Sequence, residues 1–170
     1  MRVQLFTVKS PGPGRLSTMP HPRGGDWLAD EVAALQDAGV EVVVSLLTDE
    51  EVSELDLAEE ARLCQARDIH YFSFPIQDFS VPTSEAEALA FLEGLKGLLL
   101  EGKHLVIHCR GGIGRSSVMA GSLLVLAGYT PEHALELLSN ARGMNVPETD
   151  EQRAWVRAFA RHTQAERDAE

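Results

Sequence analysis

The chain has 170 residues and a formal net charge of −11, which suits one domain with a full core and argues against binding nucleic acid through a basic surface. Hydrophobic residues make up 44% and charged residues 24%, as in soluble globules, and no run approaches the roughly 20 apolar residues that span a bilayer. The only cysteines, Cys64 and Cys109, lie outside any Cys-x-x-Cys pair, which argues against a disulfide framework or zinc cluster. With no apolar leader in Met1–Phe6, the expectation is a cytoplasmic, monomeric protein that binds neither nucleic acid nor membrane.

Val3–Val8 and Arg15–Met19 read as short strands, separated by the loop Ser10-Pro11-Gly12-Pro13-Gly14. Asp26 is placed to cap a helix carrying Trp27, Leu28, Val32, Ala33 and Leu35, which Gly39 stops. Val40–Leu47 is a β-branched buried strand. Thr48-Asp49-Glu50-Glu51 has capping-box form, and a further helical stretch covers Leu57–Ala66, with Cys64 at a core spacing. Ile69–Phe74 alternates like a strand up to Pro75, and 76–82 reads as an irregular loop. Ser84-Glu85-Ala86-Glu87 is a second capping box for a helix ending near Leu100.

Gly102-Lys103 turns the chain into the strand Leu105-Val106-Ile107, and the apolar stretch Val118–Ala127 reads as a buried helix stopped by Gly128. Thr130-Pro131 starts the next helix, which ends near Gly143. Thr149-Asp150-Glu151-Gln152 opens a last amphipathic helix with Trp155 and Phe159. The single domain over 1–170 thus has a short N-terminal loop at 9–25 and a polar C-terminal tail at 161–170, expected to fray. Strands alternating with helices predict an α/β fold, a central, mostly parallel sheet with helices on both faces. Ligands of such sheets bind at the carboxyl ends of the strands. There the loops at 48–51, 77–82 and 109–115 converge, bringing Asp78 near Cys109.

The most informative stretch is His108-Cys109-Arg110-Gly111-Gly112-Ile113-Gly114-Arg115-Ser116-Ser117, between a strand's carboxyl end and a helix's amino end. A helix amino terminus has unpaired N–H groups and partial positive charge, which stabilise a phosphate and a thiolate alike. The glycine-rich turn lets successive amides face inward as a nest. Arg115 adds a planar fork that grips two phosphate oxygens at once. A thiolate at the foot of a cradle for a tetrahedral dianion is the result.

The pattern His-Cys-x-x-Gly-x-x-Arg-Ser after a hydrophobic strand resembles the signature of the cysteine-based (Cys-x5-Arg) protein phosphatases. Together with Pro75-Ile76-x-Asp78-x-x-x-Pro82, it is most similar to the small dual-specificity type, in particular the kinase-associated phosphatase group. The resemblance implies the Cys-x5-Arg phosphatase fold and metal-free, cofactor-free hydrolysis of phosphotyrosine, and of phosphoserine or phosphothreonine, in a protein or peptide. It makes Cys109 the nucleophile, and Arg115 with the amides of Arg110, Gly111, Gly112, Ile113 and Gly114 the phosphate binders. Asp78, on the loop about thirty residues before the cysteine, becomes the general acid, though a turn-capping aspartate is its plain alternative. Ser116 is the candidate for easing the departure of sulfur, or else a serine bonding its own helix.

His108 either orients the loop or simply packs, and the Arg110 side chain serves either the loop or the surface. Gln152 is a candidate for positioning the attacking water, but its place in a capping box accounts for it fully, and capping is the favoured role. His21 and Arg23 are near enough in sequence logic to reach the pocket, without anything that compels it. Two rival readings share the anion cradle, a rhodanese-like sulfurtransferase and a non-catalytic phosphate-binding module. Neither needs both Cys109 and Asp78. A redox-sensing thiolate is compatible with the phosphatase. The acidic Asp49-Glu50-Glu51 cluster, if on the cleft edge, would repel polyanions.

Overall fold

The computed structural model describes residues 3–169. Its sheet has five strands, β1 (Phe6–Lys9), β2 (Arg15–Met19), β3 (Val42–Ser45), β4 (His70–Ser73) and β5 (His104–His108), in the order β1-β2-β5-β3-β4. Only the β1–β2 pairing is antiparallel. β5 is therefore central and covered on both faces, which is why it reads as an unbroken apolar run. Successive side chains go to opposite faces. Val42, Val44, Leu105 and Ile107 join one core, and Val43 and Val106 the other. Each such fully buried aliphatic side chain contributes about 1.5–3 kcal/mol.

The first core is closed by α4 (Glu85–Leu100), α5 (Arg115–Leu126), α6 (Pro131–Arg142) and α7 (Asp150–Ala169), through Leu92, Leu95, Val118, Leu123, Leu138, Val156 and Phe159. The second is closed by α1 (Leu28–Asp37) and α3 (Glu60–Gln65), through Leu28, Val32, Leu35 and Cys64. A short α2 (Asp49–Glu54) follows β3. This is the mostly parallel sheet flanked on both faces that the alternation predicts. Every residue of α5 is buried, so its amino end is held rigidly behind the β5–α5 turn.

Several local expectations need correction. Asp26 does not cap a helix. The chain enters α1 through a 3-10 turn over Gly25–Trp27, whose Gly25 takes φ +60 and donates its N–H to the Asp56 carbonyl at 3.0 Å. Ser84 caps α4 by accepting from the Glu87 N–H at 3.1 Å, but the return bond that would complete the box is not formed among the described residues. The polar stretch from Arg161 is helical, α7 continuing through it to Ala169. Phe159 and Thr163 extend the helix's buried stripe, and a Gln164–Asp168 pair at 2.9 Å supports the last turn. The 9–25 stretch is a loop interrupted by β2, as its strand-like residues at 15–19 predict.

Candidate active site

Cys109 follows the last residue of β5 and is almost fully enclosed, at 2% exposure. Its Sγ lies 3.4 Å from the Ser116 Oγ, on the first turn of α5. As a thiol it donates to that oxygen, and as a thiolate it accepts from the hydroxyl. Ser116 thus meets the sulfur instead of bonding its own helix. Cys64 is a different kind of cysteine. Burial, with the Glu60 charge adding to it, pushes its thiol up to about 12, so it stays an inert core residue.

The turn between β5 and α5 is braced from outside. The Arg110 carbonyl accepts the His21 N–H at 3.1 Å, tying the turn to the chain leaving β2. Arg142, at the end of α6, donates to the Gly112 carbonyl at 3.3 Å and to the Gly111 carbonyl at 3.4 Å, while its guanidinium stacks 4.3 Å above the Phe6 ring. Carbonyls anchored outward leave the opposite side of the turn to amides. Arg142 is thus part of the site's frame, which no sequence motif marks.

Gly112 takes φ +72, and a Cβ there would fall 2.7 Å from the backbone of Met19 and Pro20. Gly112→Ala therefore combines a left-handed penalty of roughly 1–2 kcal/mol with a backbone clash. It should weaken competitive inhibition by vanadate or inorganic phosphate at least about tenfold, measured beside a thermal melt that separates loop distortion from global unfolding. Unchanged inhibition would mean that the turn does not form the anion cradle.

Arg115 is 1% exposed and enters a bidentate pair with Glu51, Nη1 to Oε1 at 2.7 Å and Nη2 to Oε2 at 2.9 Å. Nη1 also donates to the Ile76 carbonyl at 2.7 Å, and Nη2 stands 3.1 Å from Asp78 Oδ1. Its Nε–H, buried, has no partner among the described residues. With Nη1 and Nη2 each engaged twice, the guanidinium keeps a fixed plane, and the fork expected to take two phosphate oxygens has one donor, Nε–H, to spare in this arrangement. Glu51 completes the Thr48 capping box, as its spacing predicts, but the spacing did not reveal this second role. The hydrogen bond from Arg115 outweighs burial and holds the Glu51 carboxyl down at about 2. The expected acidic rim is corrected accordingly: Glu51 faces inward and is neutralised, leaving Asp49 and Glu50 exposed.

Asp78 lies on the loop after β4, its carboxylate partly open to solvent and its Oδ1 accepting the Phe79 N–H at 3.0 Å. The sequence-predicted Cys109, Arg115, Ser116 and Asp78 are thus brought to one place. The Arg110 side chain stands outside the cradle, half exposed, 3.5 Å from Glu54 and 3.7 Å from Glu51. Ile113 turns its side chain to the core beside α5.

His108 is fully buried, with Nε2 2.8 Å from the Glu60 carboxylate and Nδ1 3.3 Å from the Cys109 carbonyl. Burial opposes its protonation, yet the Glu60 charge prevails and raises its pKa above the ordinary value. The ring thus ties the end of β5 to the Glu60 carboxylate on α3. Arg23 pairs with Glu31 at 2.7 Å and lies 4.4 Å over Trp27, and the His21 ring meets the Pro22 carbonyl. Gln152 completes the capping box at the start of α7, its Oε1 accepting from the Glu148 and Thr149 amides, and its Nε2 donates to the Ser80 carbonyl at 3.0 Å.

A buried strand ending at a cysteine, a glycine-rich turn, a helix opening on an arginine and an aspartate from the neighbouring loop are the parts of a Cys-x5-Arg phosphatase fold. The family model described as "Polymorphic toxin system, DSP-PTPase phosphatase" matches residues 17–129, and the chain belongs to that family of dual-specificity and tyrosine phosphatases. The chain is 33% identical over 131 residues to the provisionally named tyrosine phosphatase 197R of Invertebrate iridescent virus 6, covering 72% of this chain and 46% of the viral one. Cyclin-dependent kinase inhibitor 3 of Homo sapiens is 29% identical over 127 residues, covering 74% of this chain and 59% of the human one. The chain therefore spans about half the length of the curated relatives it matches.

Among solved structures, a kinase associated phosphatase with serine in place of its catalytic-site cysteine superposes with a TM-score of 0.87 at 22% identity, over 97% of this chain and 98% of that one. Tk-PTP in its active form does so with a TM-score of 0.71 at 28% identity, over 87% and 92%. Among the described residues no helix is long and apolar enough to cross a membrane.

Proposed function

We propose that this protein is a phosphoprotein phosphatase that hydrolyses phosphotyrosine, and phosphoserine or phosphothreonine, through a phosphocysteine. The observation that carries this reading is the meeting of Cys109, Arg115 and Asp78, the Cys109 Sγ 3.4 Å from Ser116 Oγ beside Arg115, Arg115 Nη2 3.1 Å from the Asp78 carboxylate, and its Nε–H unengaged among the described residues. In the first step the Cys109 thiolate attacks phosphorus. The S–P bond forms as the P–O bond to the leaving group breaks, and Asp78 gives its proton to the leaving oxygen. The amides of the turn and the Arg115 guanidinium hold the non-bridging oxygens. In the second step water attacks phosphorus and gives its proton to Asp78. The P–S bond breaks, and sulfur departs as a thiolate that accepts the Ser116 hydroxyl. The His108 ring, held between the Glu60 carboxylate and the Cys109 carbonyl, fixes the backbone that carries that sulfur.

The substrate class follows from the rim. Arg110, the one basic side chain of the turn outside the cradle, is already paired with Glu54 and Glu51, so no second base awaits a further phosphate there. A singly phosphorylated peptide fits this rim better than a polyphosphorylated inositol lipid, and comparable turnover of the two would defeat that preference. The two free cysteines, both buried, support a reducing cytoplasm as the working compartment, and a monomer suffices for the chemistry.

The test is kcat/KM for an aryl phosphate across pH. The wild type should give a bell-shaped profile, and Asp78→Asn should lose its alkaline limb and fall on the order of 10²–10⁴-fold at neutral pH. Full activity in Asp78→Asn would move the acid elsewhere.

A further inference from the structure

The geometry points to Gln152 as the positioning residue for Asp78, a latch that joins the acid-bearing loop to the amino end of α7 and sets the acid's height over the phosphate cradle. The inference rests on Asp78 being the general acid.

The loop around Asp78 is held from the cradle side by Arg115, 3.1 Å from Asp78 Oδ1 and 2.7 Å from the Ile76 carbonyl. It turns on the Ser80 N–H to Gln77 carbonyl bond at 3.0 Å, and Phe79 within that turn takes φ +60, an unusual conformation for a bulky residue. Phe79 is 62% exposed, so its ring does not anchor the loop. A reach from the loop to the rest of the molecule is the Ser80 carbonyl, which accepts from Gln152 Nε2 at 3.0 Å across 72 positions of sequence. Gln152 itself is fully buried. Its Oε1 is held by the Glu148 N–H at 3.0 Å and the Thr149 N–H at 3.1 Å, and its own N–H by Thr149 Oγ1 at 3.0 Å.

The same side chain also lies against the phosphate loop. A Cβ on Gly114 would fall 3.0 Å from Gln152 Nε2 and 2.7 Å from Glu148 Oε1, so glycine at 114 leaves the room that Gln152 occupies. One amide thus touches the carrier of the acid and borders the cradle of the phosphate. General acid catalysis demands that the proton lie within hydrogen-bond reach of the leaving oxygen, and a shift of about an ångström in a catalytic group costs on the order of 10²-fold. With both faces of its amide engaged in this way, Gln152 acts on the acid through the loop, not on the attacking water.

The informative variant is Gln152→Glu. It retains the oxygen that the Glu148 and Thr149 amides need, and glutamate suits a capping box, but it replaces the Nε2 donor by an oxygen facing the Ser80 carbonyl. The readout is kcat/KM for phenyl phosphate, whose leaving oxygen needs a proton, against 2,4-dinitrophenyl phosphate, whose leaving oxygen does not. A negative charge added near the cradle would slow both substrates alike, so the ratio isolates the acid. The ratio should shift at least about tenfold against phenyl phosphate, and Asp78→Asn should shift it further. In an Asp78→Asn background Gln152→Glu should leave the ratio where Asp78→Asn set it.

Equal losses on both substrates, or a loss in kcat with kcat/KM intact, would overturn the latch; the second result is what a water-positioning role in breakdown of the phosphocysteine would produce. Should Asp78→Asn itself leave the ratio unchanged, the assignment of the acid fails independently of Gln152. Gln152→Ala, which loses the cap as well, should lower the melting temperature and shift the ratio in the same direction. A melting change without a ratio change would leave Gln152 a structural cap only, against the proposal.

Discussion

Cys109→Ser should abolish hydrolysis of aryl phosphates, by on the order of 10⁴-fold or more, while keeping affinity for inorganic phosphate or for the substrate itself. Removal of a nucleophile costs all of the catalysis that runs through the covalent path. The anion cradle does not depend on that sulfur. In the proposed mechanism the anion is held by the turn from Arg110 to Gly114, which Arg142 and His21 brace, and by the buried Arg115. Serine is smaller, stays protonated at neutral pH and removes one negative charge from the foot of the cradle, so binding of a dianion should hold or tighten. Isothermal titration with phosphate beside a steady-state assay measures both halves. A variant that loses binding and turnover together would show the sulfur to be structural.

Glu51→Gln should cost both stability and activity. The pair with Arg115 is bidentate and buried, and removing one charge of such a pair leaves the other uncompensated, typically at a cost of about 3–5 kcal/mol. The guanidinium, released on one side, also loses the orientation that leaves its Nε–H for a ligand. We expect kcat/KM to fall at least about 10²-fold with the urea midpoint clearly lowered. The pH dependence carries the sign. Glu51 has a folded-state pKa of about 2 against an ordinary 4.5, so the stability it contributes is fully present above about 4.5 and is lost as pH falls through about 2. That shift corresponds to about 3 kcal/mol. Urea unfolding between pH 5 and 2 should therefore be steeper in pH for the wild type than for Glu51→Gln. Parallel curves would mean that the pair does not stabilise the fold.

Much of the site was legible because it is local. The run from Val106 to Ser117 names its own structure, since an apolar strand, a glycine-rich turn and a buried helix each have a pattern that stands on neighbouring residues. Capping boxes at Thr48 and Thr149 are legible for the same reason, four residues deciding a helix end. What escaped is what the sheet order creates. Glu51 reaches Arg115 across 64 positions and Glu60 reaches His108 across 48. Each contact exists only because β3 lies beside β5, with α2 and α3 following on the same edge.

Periodicity reports which face of an element is apolar, not which strands are neighbours. Glu51 carried the further disadvantage of having a complete local explanation, so nothing about it seemed unaccounted for. Gln152 is the same case, a capping residue whose second bond, to Ser80, no local pattern foretells. That the helix runs on past Arg161 was not legible, because composition alone does not reveal that Phe159 and Thr163 are buried.

The proposed chemistry requires a covalent bond between phosphorus and the Cys109 sulfur. Rapid acid quench of the wild type with a labelled aryl phosphate, followed by mass spectrometry of the peptides, should find one phosphate on Cys109, in an amount that rises in Ser116→Ala as departure of sulfur slows. Phosphate on any other residue, or turnover with no phosphorylated cysteine at all, would contradict it.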